Sequence, residues 1–180
     1  MLKFLFSSLA ILLLMSGCDK ADKFTQFNLD YNTQVSIPAT GLGGLATLLL
    51  DSLMSNPTTT NAQQSFSGNG TAANLIEKVS LSQMTITVTA PAGGNLNFLK
   101  DLAIYIKGTN LGELKIAEAV NIADGLTTLD VPVLDNNLKE YIKAEQFTLR
   151  TSATIDGATS QQTDLNIYTK FFVDAKLLGI

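Results

Sequence analysis

Between residues 163 and 175 the chain alternates without a break. Leu165, Ile167, Thr169, Phe171, Val173 and Ala175 share one parity, while Asp164, Asn166, Tyr168, Lys170, Phe172 and Asp174 share the other. Successive side chains of a β-strand point to opposite faces, so this run specifies a long strand with one buried and one mostly wet side. A helix would scatter the same residues around its axis. Phe147, Leu149, Thr151, Ala153 and Ile155 repeat the pattern upstream, and Phe27, Leu29, Tyr31, Val35 and Ile37 share one parity near the start. Further strand candidates lie at 78–89, 102–107, 113–122 and 127–133.

Within 78–89 the parity slips. Val79 and Leu81 are odd, whereas Met84, Ile86 and Val88 are even. A one-residue slip would turn half the strand's apolar set to solvent, so the pattern predicts a β-bulge near Ser82-Gln83. Turn residues separate the runs, at 91–95, Gly108-Thr109-Asn110, Asp124-Gly125, Asp135-Asn136-Asn137 and Asp156-Gly157. Short strands at this spacing, without long intervening helices, predict an all-β fold: an antiparallel β-sandwich of about seven or eight strands. One or two short helices are expected in the connections, at 97–102 and 137–144. The second follows Asn capping candidates and carries Leu138, Tyr141 and Ile142 at helical spacing. The last two strands are expected to form a hairpin across Asp156-Gly157-Ala158. A three-residue loop there sets Leu149 opposite Leu165 and Arg150 opposite Asp164, matching inward with inward residues.

Two stretches depart from alternation. Residues 56–70 (NPTTTNAQQSFSGNG) are polar and read as a long loop or mobile segment. Residues 41–54 (GLGGLATLLLDSLM) are apolar almost all round and predict a short helix from Leu45 onward. Leu42, Leu45, Leu49, Leu53 and Met54 are its candidate contact residues, either capping the sandwich core or meeting a partner or an apolar ligand. Five or six exposed leucines would exceed what a soluble monomer tolerates. Asp51-Ser52-Leu53 within it also matches a loose acceptor pattern for O-glycosylation.

Composition narrows the chemistry. The 180 residues contain no His, no Trp and one Cys, and the net charge is −4. Catalytic Ser-His-Asp or Cys-His arrangements therefore cannot form, and zinc lacks its usual ligands. A single Cys makes no intramolecular disulfide. Without a dense basic run, nucleic acid is not an expected partner. Walker, dinucleotide and EF-hand patterns are absent from the sequence. Calcium at the acidic turns around Asp130 and 135–137 competes with a plain solvated-turn reading, and Tyr31, Tyr105, Tyr141 and Tyr168 compete as a carbohydrate-stacking set with simple packing. The expectation is a non-enzymatic protein with no cofactor and no metal.

The first eighteen residues supply an address. Met1 and Lys3 open a short positive segment, and residues 4–15 (FLFSSLAILLLM) are almost wholly apolar. Twelve residues are too few to cross a hydrocarbon core, which takes about 20, but suit the apolar region of a secretory signal. Met15-Ser16-Gly17-Cys18 resembles the lipobox of bacterial lipoproteins, and the only Cys falls where that signal needs it. The resemblance implies cleavage before Cys18, lipidation of its sulfur, and a membrane anchor of acyl chains such as palmitate. Residues 1–17 are then signal peptide, 18–23 a polar lipidated tether, and 24–180 a single β-sandwich domain. Removing the signal leaves 163 residues, enough for one core without staples. The outer membrane is expected, with the inner membrane as alternative because Asp19 resembles an inner-membrane retention residue. In organisation the mature chain resembles uncharacterised bacterial envelope lipoproteins built as an Ig-like β-sandwich, a resemblance that carries no functional residue except Cys18. The expected role is therefore protein–protein or surface contact in the cell envelope, with an envelope protein as partner. The alternative is a carrier or sensor of an apolar ligand with 42–54 as its lid.

Overall fold

A computed structural model describes residues 26–39, 57–155, 157 and 159–176. In chain order the elements are β1 (Phe27–Ile37), β2 (Pro57–Thr59), α1 (Ala62–Gly68), a 3-10 turn (Ala73–Leu75), β3 (Ile76–Ala90), β4 (Leu99–Gly108), β5 (Glu113–Ala119), β6 (Thr128–Asp130), α2 (Lys139–Lys143), β7 (Gln146–Ile155) and β8 (Thr163–Ala175). The strands form two four-stranded antiparallel sheets, ordered β1-β8-β3-β6 and β2-β7-β4-β5. The fold is thus the all-β sandwich with short helices that the alternation predicts.

The strand order refines that class. β1 pairs with β8, β2 with β7, β3 with β6 and β4 with β5. The described chain is one long antiparallel hairpin, rolled so that successive pairs fall alternately in the two sheets. This is the jelly-roll arrangement of a double-sheet sandwich, a different connectivity from the Ig-like order. It also changes the last connection. β7 and β8 lie in opposite sheets, so the expected hairpin is instead a crossing between layers. Leu149 pairs with Ile106 and Leu165 with Val35 and Val88. Strand β8 begins at Thr163 rather than Thr159, and the Thr159 hydroxyl donates to the Pro38 carbonyl at 3.0 Å.

The core fills the space between the sheets. Tyr31, Phe147 and Phe171 meet there edge to face, with ring centroids 5.7, 5.8 and 5.9 Å apart. β3 carries the expected bulge: its register against β8 shifts between Leu81 and Gln83, so that Val79, Leu81, Met84 and Ile86 are all buried. α2 matches its predicted place, with Leu138 and Ile142 fully buried and the Asn137 side chain accepting from the Lys139 amide at 3.1 Å.

Two local expectations fail for physical reasons. Residues 97–102 are a turn followed by strand. A register shift between Leu99 and Asp101 lets both Leu99 and Leu102 face the core, which imitates helical spacing in the sequence. Residues 57–70 are not a structureless loop. β2 pairs with β7, and α1 drives Phe66, 1% exposed, against Phe27 at 6.2 Å. A single aromatic in a polar run anchors the whole segment, and burying it outweighs the polar context around it.

Candidate functional site

Every site residue expected from the sequence lies outside the described residues: Cys18, Leu42, Leu45, Leu49, Leu53 and Met54, together with the 51–53 glycosylation pattern and the 18–23 tether. The other candidates can be placed. The four tyrosines do not converge. Tyr31 is part of the core cluster, the Tyr141 hydroxyl donates to the Gly112 carbonyl at 2.8 Å, and Tyr105 and Tyr168 lie on different sheets. The acidic turns do not converge either. Asp130 accepts from the Thr85 hydroxyl at 2.6 Å, Asp135 pairs with Lys78 at 3.0 Å, and Asn136 donates to the Lys115 carbonyl at 2.8 Å. Among the described residues no group of three or more His, Cys, Asp or Glu could hold a metal ion. No described helix is long and apolar enough to cross a membrane.

The most built feature is a pair of hollows on either side of residues 59–61, where β2 leads into α1. Thr60 fixes this ridge. Its amide donates to the Glu145 carbonyl at 3.0 Å, and its hydroxyl donates to the Ala144 carbonyl at 2.7 Å. Its own carbonyl accepts the Tyr31 hydroxyl at 2.7 Å. Burial pushes the Tyr31 phenol up to about 12, so it remains a donor across the neutral range. Asn61 then takes a left-handed backbone, φ 47°, to start α1. Asn tolerates that region better than most side chains, which explains its use at this corner.

The hollow towards α2 is about 330 Å³ and runs along Gln63, Gln64, Lys143 and Gln146. The hollow towards β1 is larger, about 520 Å³, and is a groove between the edge of β1 at 28–31 and the side of α1 at Ser65, Gly68 and Asn69. Leu29 and Tyr31 belong to the inward face of β1, and Asn28 and Asp30 to its outward face. Tyr168, on β8, donates its hydroxyl to Asp30 at 2.7 Å and so orients that carboxylate, while the same bond holds the Tyr168 phenol above its ordinary value. Nothing in the alternation marks this groove. The one usable signal in the sequence is Phe66, a lone aromatic whose burial requires the surrounding polar residues to be ordered.

The outward faces of the two sheets differ in chemistry. On the β1-β8-β3-β6 sheet, neutral donors meet Asp carboxylates, such as Tyr168 on Asp30 at 2.7 Å and Thr85 on Asp130 at 2.6 Å, beside the neutral pair of Asn166 donating to Asn32 at 3.1 Å. On the other sheet, Arg150 of β7 reaches across β4 to Glu113 of β5 with two bonds, 2.6 and 2.7 Å, and its guanidinium lies 4.3 Å from the Tyr105 ring centroid. The bond from Arg150 holds the Glu113 carboxyl below its ordinary value. This clamp ties three strands together.

No family model matches the chain, and no curated protein matches it. Among solved structures it is similar to the decameric BFDV capsid protein, at 10% identity over 84% of this chain and 98% of that one, with a TM-score of 0.40. It is similar also to the structures of Desmodium yellow mottle tymovirus, at 12% identity, 86% and 91% coverage and TM-score 0.26, and turnip yellow mosaic virus, at 11%, 86%, 82% and 0.30. The strand order β1-β8-β3-β6 and β2-β7-β4-β5 by itself makes the fold a jelly roll.

Proposed function

We propose that this chain is a lipid-anchored cell-envelope protein that works through surface contacts with another envelope protein. The observation that carries the reading is Met15-Ser16-Gly17-Cys18 behind a twelve-residue apolar run, with the only Cys at the position lipidation requires. Each buried CH₂ of an acyl chain contributes about 0.8 kcal/mol, so two or three chains hold a protein at a bilayer durably. β1 opens at Phe27, nine residues after Cys18, a span of no more than about 30 Å at ~3.4 Å per residue. Such a tether keeps the sandwich close to the membrane, where only neighbours in the same envelope layer are within reach.

Replacing Cys18 by Ser tests this. The wild-type chain should incorporate labelled palmitate and fractionate with membranes, outer rather than inner on a density gradient. The Cys18→Ser chain should do neither and persist as uncleaved precursor or soluble protein. Membrane association of the Ser variant equal to wild type would sink the reading.

A further inference from the structure

The turn that ends α1 carries the only Asn-Gly dipeptide of the sequence, Asn69-Gly70. It hangs between two fixed points. Phe66 is 1% exposed and meets Phe27, and Thr71, 3% exposed, donates its hydroxyl to the Lys176 carbonyl at 3.3 Å. Ser67, Gly68, Asn69 and Gly70 between them are all exposed. We propose that Asn69 is a self-modifying site: the pair closes to a succinimide and hydrolyses to aspartate and isoaspartate, at a rate set by opening of this turn. The carboxylate of the product then unfastens the end of α1. This chemistry needs neither the anchor nor a partner, so it goes beyond the proposed function.

The step balances with water as its only co-reactant. The Gly70 nitrogen attacks Asn69 Cγ and loses its proton, and the Cγ–Nδ2 bond breaks to release ammonia. Water then opens the five-membered ring. Cleavage of the new Cγ–N bond restores the main chain with aspartate, while cleavage at the other carbonyl runs the chain through Cγ as isoaspartate. Nothing is oxidised or reduced. Glycine permits the attack because no Cβ crowds its nitrogen, and nothing lies within 4 Å of where a Cβ would stand at Gly70.

The folded turn holds this reaction back. Ring closure needs the Gly70 nitrogen turned toward the Asn69 side chain. With Asn69 at ψ 17° it is turned instead toward the Asn69 main-chain nitrogen, and its hydrogen is bonded to the Ser67 carbonyl at 3.1 Å. The Asn69 side-chain amide is held as well, donating to the Ser65 carbonyl at 2.8 Å. Opening breaks these bonds and little else, because a helix of seven residues ending in exposed glycine frays readily. The product does not refasten. A carboxylate has no hydrogen to give the Ser65 carbonyl, and its charge sits at the helix end where free carbonyls already concentrate negative potential. Isoaspartate further lengthens the main chain between the Asn69 and Gly70 amides, both of which bond back into α1. Asn69 also lines the hollow beside β1, so the change puts a carboxylate in its wall.

The test uses the full chain in detergent micelles, aged in warm neutral buffer made with heavy-oxygen water and mapped by mass spectrometry. Aspartate and isoaspartate should build up at 69, each carrying one heavy oxygen, ahead of conversion at any other Asn. In denaturant the same pair should react about ten- to a hundredfold faster, because the native bonds no longer hold the turn. Asn69→Gln keeps the amide but must close a larger, slower ring, and should stop the conversion. Asn69→Asp should speed hydrogen exchange of the amides at 69–71 about tenfold, while β3 and β8 stay as protected as in wild type. The proposal is overturned if Asn69 stays intact in the folded chain through about a hundred half-lives of the denatured reaction. It is overturned equally if folded and denatured rates match, if the product lacks heavy oxygen, or if Asn69→Asp leaves exchange at 69–71 unchanged.

Discussion

Two pairs of consecutive strands, β4–β5 and β7–β8, read alike in the sequence and are built differently. Each pairs an alternating run with another alternating run across a short polar connection. β4 and β5 close as a hairpin around residues 109–112, where Asn110 takes φ 62° and the Leu111 amide donates to the Gly108 carbonyl at 3.2 Å. β7 and β8 are joined by 156–162 and face each other through the core from opposite sheets. Alternation fixes which side of a strand is inward, and both arrangements set inward residues against inward residues. It cannot say whether the neighbour lies beside the strand or across from it. Connection length is the discriminating variable, since layers stand about 10 Å apart and paired strands about 4.8 Å.

The largest effect that separates the two geometries is in the core. In the crossing arrangement Phe147 and Phe171 are ring neighbours at 5.9 Å, both at most 1% exposed. The hairpin register would instead place Phe147 opposite Ile167. Phe171→Ala and Phe147→Ala should each cost about 3–5 kcal/mol in denaturant unfolding. The double variant should fall short of additivity by about 0.5–1.5 kcal/mol, the coupling of an edge-to-face aromatic pair. Strict additivity would speak against the crossing.

The parts of the fold legible in the sequence are those governed by parity. The β3 bulge follows from Val79 and Leu81 against Met84 and Ile86, and α2 from Leu138 and Ile142. The parts that are not legible depend on partners distant in the chain. β2 and α1 exist because Phe66 finds Phe27 and because Thr60 finds Tyr31 and Glu145, none of which has a local signature. The start of β4 reads as a helix because a bulge spaces Leu99 and Leu102 as a helix would. The groove beside β1 is a product of those same long-range contacts, so nothing local marks its residues as a site.

A second test concerns the other end of the rolled hairpin, where β1 and β2 also lie in opposite sheets. The Tyr31 hydroxyl bonds to the Thr60 carbonyl beside β2 and so links the layers. Tyr31→Phe should cost about 0.5–1.5 kcal/mol, the net worth of one such bond. It should also change the response to alkali. The folded Tyr31 phenol titrates near 12, above its unfolded value of about 10. Between those values the native state holds the extra proton, so stability falls as pH rises through that window. The Phe variant should lose that part of the fall, and parallel pH curves for the two proteins would contradict the burial of the phenol.

The smallest effect is the most diagnostic, because the two arrangements give Arg150 different carboxylates. A β7–β8 hairpin would place it opposite Asp164, whereas here it holds Glu113 across β4 with two bonds. Asp164 lies in the other sheet, its carboxyl drawn below the ordinary value by bonds from Ser36 and then Gln162. A double-mutant cycle between Arg150 and Glu113 should therefore give about 0.2–1 kcal/mol at neutral pH, since each side chain is about one-third exposed. High salt should reduce that coupling, less than for a wholly exposed pair. Acid should abolish it: the Glu113 carboxyl is depressed in the folded state, so its contribution is present above the unfolded carboxylate value and disappears as pH falls through the folded one. The matching cycle between Arg150 and Asp164 should give no coupling at any pH, because the two sheets stand between the groups. Coupling to Asp164 without coupling to Glu113 would restore the hairpin and with it a different strand order.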